Sequence, residues 1–457
     1  MTTGTLATAR QDDAADRFPV GEVDQRRNVM LFGVNTGLMF LGSSVLNVGR
    51  FHAPVCKALG ASDTVSNLPG SAYLIMAASP LVVACLFPQV SYLKRVLVTC
   101  YLVLAIMGGV VALAILSPIP NALKVAAVIT QGIVTGGALT TVTMFLFEVI
   151  GRGASPSKRG QALSLGYGRG PFLGLVGALV LQLCLDGRLF GLRLAAAPYP
   201  WNFALPFLAS VPIMGAAAWL STHFVIAPEK VEATRQPFVS NVFAGFGDFV
   251  GNRWLRLTFL VGVLSFWGFS IGNNMTLYTK EVLGVAPETL VGYQLALRFG
   301  FKIGSGLCMG ALLAYAGPRA TMLVTALCSV AGVVWAMLVP GYWFMLSFGL
   351  LGAGELFGVY MTNYILSCSP KSHTRSNMGF ASLAMMPAAP AGALFGAISD
   401  HYGSIYNRAY GFQMSFAAAL IFMGLMVLLI PLLPAHPQPP PEPDPSSLTV
   451  KLECEPG

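Results

Sequence analysis

The feature that most constrains this chain is a succession of apolar runs, each long enough to cross a lipid bilayer. A hydrocarbon core about 30 Å thick takes about 20 apolar residues of helix. Only helices or closed barrels can cross it with every backbone polar group paired. Runs of that length lie near 28–50, 69–90, 96–116, 122–147, 161–184, 200–226, 254–277, 288–312, 319–339, 342–367, 376–398 and 411–434, which predicts an all-α membrane protein with twelve spans. Composition agrees, since 55% of the 457 residues are hydrophobic and 10% are charged, against about 25% charged in soluble domains. The net charge of +8 does not point to nucleic acid. The basic residues fall in short groups between apolar runs, which is the spacing of membrane loops.

An even number of spans puts both termini on one side, and the basic residues select it. Of the 27 Lys and Arg, 17 lie in the two tails and the alternate loops between them, 7 in the opposite loops, and three inside spans. The positive-inside bias predicts cytoplasmic termini in a multi-pass protein of the cell membrane. Arg50, at the end of the first span, counts here with the outer loops. The first 27 residues are polar and lack the apolar core of a cleavable signal, so the first span is expected to serve as an uncleaved one. Cytoplasmic residues 227–253 join spans six and seven, and Phe238, Val242, Phe246 and Phe249 within them recur at helical spacing, which predicts an amphipathic interfacial helix. Residues 435–457 are proline-rich and acidic, and disorder is expected there.

The two halves repeat. A shift of 224 residues lays Asn28 on Asn252, Leu59-Gly60 on Leu283-Gly284, and Arg95 on Arg319. A slightly different shift lays GIVTGGAL (132–139) on GLLGAGEL (349–356). Two parallel six-helix bundles, 28–226 and 254–434, follow, with a site expected at their interface near midplane.

The order of features resembles the major facilitator superfamily along nearly the whole chain. Gly166, Gly170, Pro171 and Gly174 make GxxxGPxxG in span five, similar to the core of that family's antiporter motif, with Ser157 where a further glycine belongs. Glu148 with Arg159-Gly160, and the closing GAISDHYG (396–403), resemble the family as well. The family's GxxxDRxGRR loop signature keeps only Lys94-Arg95 in the first half, and in the second only Gly310, Gly317 and Arg319. The resemblance implies the pseudo-symmetric major facilitator fold and transport by alternating access.

Ionisable groups deep in a bilayer cost about 2.5–3.5 kcal/mol on insertion scales, so each one needs a reason. The spans predict four: Arg169, Arg298, Lys302 and Glu355. Gln294, Arg298, Lys302 and Ser305 share one face of span eight, a polar stripe that implies an aqueous cavity. A structural reading, in which the cations only satisfy a buried carboxylate, stands beside it. Arg169 interrupts the glycine motif of span five, where it is expected either to face the cavity or to bond carbonyls freed by Pro171. Glu355 lies mid-span among glycines that permit close helix contact. A lone carboxyl there must be protonated or paired, which makes it the candidate proton carrier or the partner of Arg298 or Lys302. Asn35, Ser43, Asn47 and Arg50 lie on roughly one face of span one, and Ser270, Asn273, Asn274 and Tyr278 lie in span seven; Arg50 apart, these are neutral groups suited to lining a site. Glu148, near the inner surface, is expected to pair with Arg159 or Arg375 in a gate or loop-stabilising role.

Eight scattered cysteines without a CxxC pair argue against a zinc site or disulfide framework. HExxH, GxSxG and P-loop patterns do not occur, so neither catalysis, a cofactor nor a metal is expected. Three cations against one carboxyl favour an anionic substrate, and an arginine in span eight resembles the substrate clamp of organic-anion porters in the superfamily. The expectation is proton-linked transport of a small organic anion by a monomer embedded in the bilayer. Two other readings stay open: a proton-coupled antiporter for lipophilic compounds, and a receptor or scaffold without transport. The topology has a direct check. A reporter active only outside the cytoplasm should be silent when fused after residue 434 and active when fused near Arg193; the reverse pattern would overturn the loop assignments.

Overall fold

The computed structural model describes residues 19–46, 48–87, 89–193, 197–226, 245–247, 249–369 and 374–435. Helices dominate, and the one sheet among these residues is a two-strand hairpin, Arg188–Leu189 against Leu192–Arg193. Ten helical stretches among the described residues are long and apolar enough to cross a membrane, from Asp63–Ala84 to Arg408–Leu432. They match eleven of the expected runs with shifted ends, the largest shift being Gly379–Ile405, which runs seven residues past the expected end.

The two departures from twelve have physical causes. The first run folds as Glu22–Leu41, Ser43–Leu46 and His52–Ala58. Buried Gln25, Asn28, Asn35 and Thr36 dilute its apolar character. Runs eight and nine join in Val291–Leu338, a stretch of 48 residues interrupted at Gly317, where φ is 77° and ψ 177° and Pro318 follows. A straight helix of that length would measure about 72 Å at 1.5 Å per residue, over twice the core thickness. Two helices therefore abut at Gly317.

The repeat is visible in local geometry. Gly60 (φ 92°) and Gly284 (φ 68°) both take left-handed backbone just after a helix, the role glycine fills without a Cβ clash. The equivalent glycine stretches both sit against a neighbouring helix. A Cβ on Gly132 would lie 2.3 Å from Pro69 O, and one on Gly352 would lie 2.3 Å from Arg298 O. In span five, Ser164–Gly168 widens into a π-helical turn ahead of Pro171, which has no N–H to offer the preceding turn. Behind it, a Cβ on Gly177 would lie 2.2 Å from Leu41 O, so this motif brings the helix onto the first run.

One apolar cluster draws on Phe32, Tyr101, Phe145 and Phe224, and a second on Phe249, Phe344, Phe348, Tyr364 and Phe395. A third joins the halves, with Phe51, Val55 and Phe207 against Val291, Leu295 and Phe299. Of the expected amphipathic helix, Phe238 and Val242 lie outside the described residues. Phe249 is buried, and Phe246 and Phe249 pack on Phe380 at 5.5 and 5.8 Å. Residues 436–457, the bulk of the proline-rich tail, lie outside them too. Gly317 is the position where backbone conformation alone should control stability. Gly317→Ala places a side chain in a region open essentially to glycine, at a cost of about 1–3 kcal/mol. A lower melting temperature in detergent is the expected result, and an unchanged one would show that the turn relaxes freely.

Candidate functional site

Glu355 stands at the turn between helices Leu346–Gly354 and Phe357–Cys368. The glycines before it decide what it can reach. Gly349 lies under the Phe301 ring and Gly352 against the backbone of Arg298, so the two helices meet too closely for any Cβ. That approach brings the Glu355 carboxylate onto the stripe of Val291–Leu338. Arg298 Nε donates to Oε2 at 2.6 Å and Lys302 Nζ approaches the same oxygen at 2.5 Å. The other oxygen, Oε1, accepts from Arg50 Nη2 at 2.7 Å, a residue 305 positions away in the first half. Glu355 is 12% exposed, and all three cations are similarly enclosed. Phe299 lies beside the group, its ring centre 5.7 Å from the Arg298 guanidinium and 5.6 Å from Lys302 Nζ.

A cavity of about 990 Å³ lies between the halves. Thr36, Phe40, Tyr73 and Tyr167 line it from the first half, Phe266 and Met361 from the second. Both chains leading away from the charge cluster enter its wall. Ser43, Phe40 and Thr36 precede Arg50, while Gly358, Met361 and Ile365 follow Glu355. None of the cluster's four charged residues lines the cavity; Phe40, which does, packs edge-on against Phe299 at 6.3 Å and stands between the cavity and the cluster. The charged wall residues Glu148, Arg152 and Arg159 lie at the far end.

Beyond the cluster, the opposite end is closed by a second set of charges. Helix Asp63–Ile75 starts there, and its first amides would otherwise be unpaired. Asp400, from helix Pro390–Ile405, accepts from Asp63 N at 3.1 Å, Thr64 N at 2.8 Å and Thr64 Oγ1 at 2.7 Å. A carboxylate from one half thus caps a helix of the other, which its N-terminal dipole favours. Asp63, with its side chain fully buried, is held by Lys57 at 2.6 Å, by Arg408 and by Ser399. Arg408 also lies 3.4 Å from Asp400. A Cβ on Gly396 would lie 2.6 Å from Thr64 Cα, so the two helices touch at this latch.

The sequence-predicted residues fall into three groups. Arg298, Lys302 and Glu355 come together. Gln294, on the same helix face, is buried and donates to Thr279 Oγ1 at 2.8 Å, with its Oε1 unpartnered among the described residues. Asn35 is fully buried, and neither of its amide atoms has a partner among the described residues. Asn273 packs against Gly49 and Gly70. Asn274 is committed to structure. It accepts from Asn67 at 2.7 Å and donates to Phe395 O and Ser415 Oγ, so little capacity remains for a ligand. Arg169 does not join the cluster; just after the π-helical turn it is exposed. Glu148 takes Arg152, one turn away, at 3.0 Å, and Arg159 donates to the carbonyls of Ala154 and Gly151. The side chain of Arg375, and Asn47, lie outside the described positions. Sequence reasoning placed Arg50 on the span-one face with Asn35, Ser43 and Asn47 but did not pair it with Glu355, and it missed the latch, whose Asp63 and Asp400 lie in loops between predicted spans. The only earlier signal for the latch was the GAISDHYG motif.

No protein-family model and no curated protein matches the chain by sequence. Solved structures do match it in shape. The crystal structure of a D-xylose-proton symporter superposes with a TM-score of 0.66 at 14% identity, covering 90% of this chain and 99% of that one. A mutant of the nucleoside transporter NupG gives 0.64 at 13%, covering 90% and 99%. A bacterial homolog of the human lysosomal transporter Spinster, inward-facing and unoccupied, gives 0.64 at 13%, covering 90% and 97%. The chain has the fold of major facilitator transporters.

The latch makes its own prediction. Asp400→Asn keeps the side chain's shape but removes the charge that caps Asp63–Ile75 and faces Arg408. Spin labels on Ser62→Cys and Ser404→Cys, in a background without the native cysteines, should then show a longer distance distribution. An unchanged distribution in folded protein would show that the charges do not hold this end shut.

Proposed function

Given that fold, we propose that the chain is a secondary active transporter moving a small organic anion together with protons by alternating access. One observation carries the reading: three cations from two halves of the chain converge on a single carboxylate where those halves meet, separated from the cavity between them by the Phe40–Phe299 pair. The excess positive charge sits in a low-dielectric setting, where it attracts an anion far more strongly than it would in water. In this reading the Gly317 break splits Val291–Leu338 into two crossings, and Glu22–Leu46 supplies the first, giving twelve. The bundles are 28–226 and 254–434, and both termini lie in the cytoplasm of a cell-membrane protein. A single chain holds the cavity and the cluster, so a monomer suffices.

The latch is shut and the cavity's charged rim lies at the opposite, cytoplasmic end, which describes the inward-open state. An anion entering from that end competes with Glu355 for Arg298 and Lys302. As the cations turn to the substrate, the carboxylate loses the partners that keep it charged and takes a proton. Anion and proton then share one rearrangement. Reversal requires the latch to part and the inner end to close. That one of the similar structures is a proton symporter supports the coupling.

A second reading draws on the cavity wall. Met39, Met144, Met361 and Met385 line it with several aromatic rings, a pliable apolar surface suited to lipophilic compounds, as in a proton-coupled antiporter. Energy-coupled uptake into proteoliposomes separates the two. Glu355→Gln should abolish accumulation driven by a pH gradient while substrate exchange continues in part. Arg298→Lys keeps the charge but loses the planar fork, and should lower anion transport by about tenfold or more. Accumulation persisting in the Gln variant would remove Glu355 from coupling. Uptake of lipophilic cations without anion transport would favour the antiporter.

A further inference from the structure

Arg50 is 7% exposed, and of the three cations on Glu355 it is the one whose bonding is visibly incomplete. Nη2 donates to the carboxylate, but Nη1 is buried without a hydrogen-bond partner among the described residues. An orphaned, buried guanidinium N–H is costly, because the group has left water and gained nothing in exchange. Its presence points to a partner that arrives later.

The backbone around it is built for a ligand. The first run is interrupted between Leu46 and His52, with Gly49 at φ 141°. In the second half the corresponding run tightens at Ser270-Ile271 but keeps helical backbone between Arg253–Phe269 and Gly272–Leu283. The 224-residue repeat lays Gly49 on Asn273, and those two residues touch: a Cβ on Gly49 would lie 2.6 Å from Asn273 Oδ1. A Cβ on Gly272 would lie 2.9 Å from both Arg50 Nε and Nη2. A discontinuous helix facing its repeat equivalent where the two halves meet is a place where transporters bind substrate. Gly272 is the cradle that lets the guanidinium lie across the seam.

We propose that Arg50 is a substrate-binding residue contributed by the first half. Its free edge receives the oxyanion of the substrate, a carboxylate or phosphate, which Arg298 and Lys302 hold from the second half. The substrate thereby replaces Glu355 as the anion that ties the two halves together at this depth. A planar guanidinium fork suits either oxyanion. The proposal rests on the anion-transport reading above and adds to it a residue, a contact and a bridging role.

The bland alternative is that Arg50 only neutralises Glu355, and a double substitution separates the two. Binding of radiolabelled lactate, succinate and inorganic phosphate to purified wild-type protein is measured first by scintillation proximity. Binding of none of them would remove the anion reading itself, and this inference with it. For a probe that binds, Glu355→Gln should retain or tighten affinity, because it removes the internal competitor. Adding Arg50→Gln to that variant should then weaken binding by about tenfold or more. An unchanged dissociation constant in the folded double variant would overturn the proposal, since Arg50 would then matter only while Glu355 is charged. If the double variant does not fold, Gly272→Ala displaces the guanidinium and keeps its charge. Weaker binding there supports the site, and unchanged binding overturns it.

Discussion

Everything central in this molecule depends on how one buried carboxylate is kept. Glu355 has left water, and a charge so placed survives only with close partners and good geometry. It has three, at 2.7, 2.6 and 2.5 Å, from one helix and an interrupted segment. One carboxylate faces three cations, so the cluster ties two halves of the chain together and carries an excess of positive charge. That excess is what the anion-transport proposal rests on.

The backbone had to accommodate this arrangement before any side chain could make it. Gly352 lets the Glu355 helix lie against Arg298, and Gly272 lets Arg50 lie across the contact between the two halves. In a bilayer no hydrophobic force drives helices together, so close approach over small residues supplies the packing energy. The same glycines therefore set both stability and the position of charge. The π-helical turn before Pro171 is a related device, since it fits a proline into a helix that must also lie close against the first run.

The two ends of the cavity are held by different physics. The latch uses a helix dipole and a buried aspartate: Asp400 and Arg408 reach it from the other half of the chain, and Lys57 holds Asp63 from six residues away. At the other end Glu148 pairs with Arg152 one turn away and Arg159 bonds nearby carbonyls. Contacts within one segment survive when the halves move apart, while contacts between halves do not.

The sequence by itself determined the helical membrane class, the approximate spans, the repeat, and the rare ionisable groups that need a reason to be buried. These properties are local: run length, hydropathy and the spacing of Gln294, Arg298 and Lys302 act over a few helix turns, and the bilayer supplies the rest. Tertiary structure alone decided what those groups meet. Arg50 read as a cation at the end of the first span, and the interrupted helix folds it inward to a residue 305 positions away. Arg169, read with the other deep cations, is exposed just after the π-helical turn and does not join them at Glu355. Asn274 read as a ligand group, yet Asn67, Phe395 and Ser415 use its amide. Hydropathy places a residue along the membrane normal. Which neighbour it faces depends on helix rotation and on contacts between segments hundreds of residues apart, and no local pattern records those.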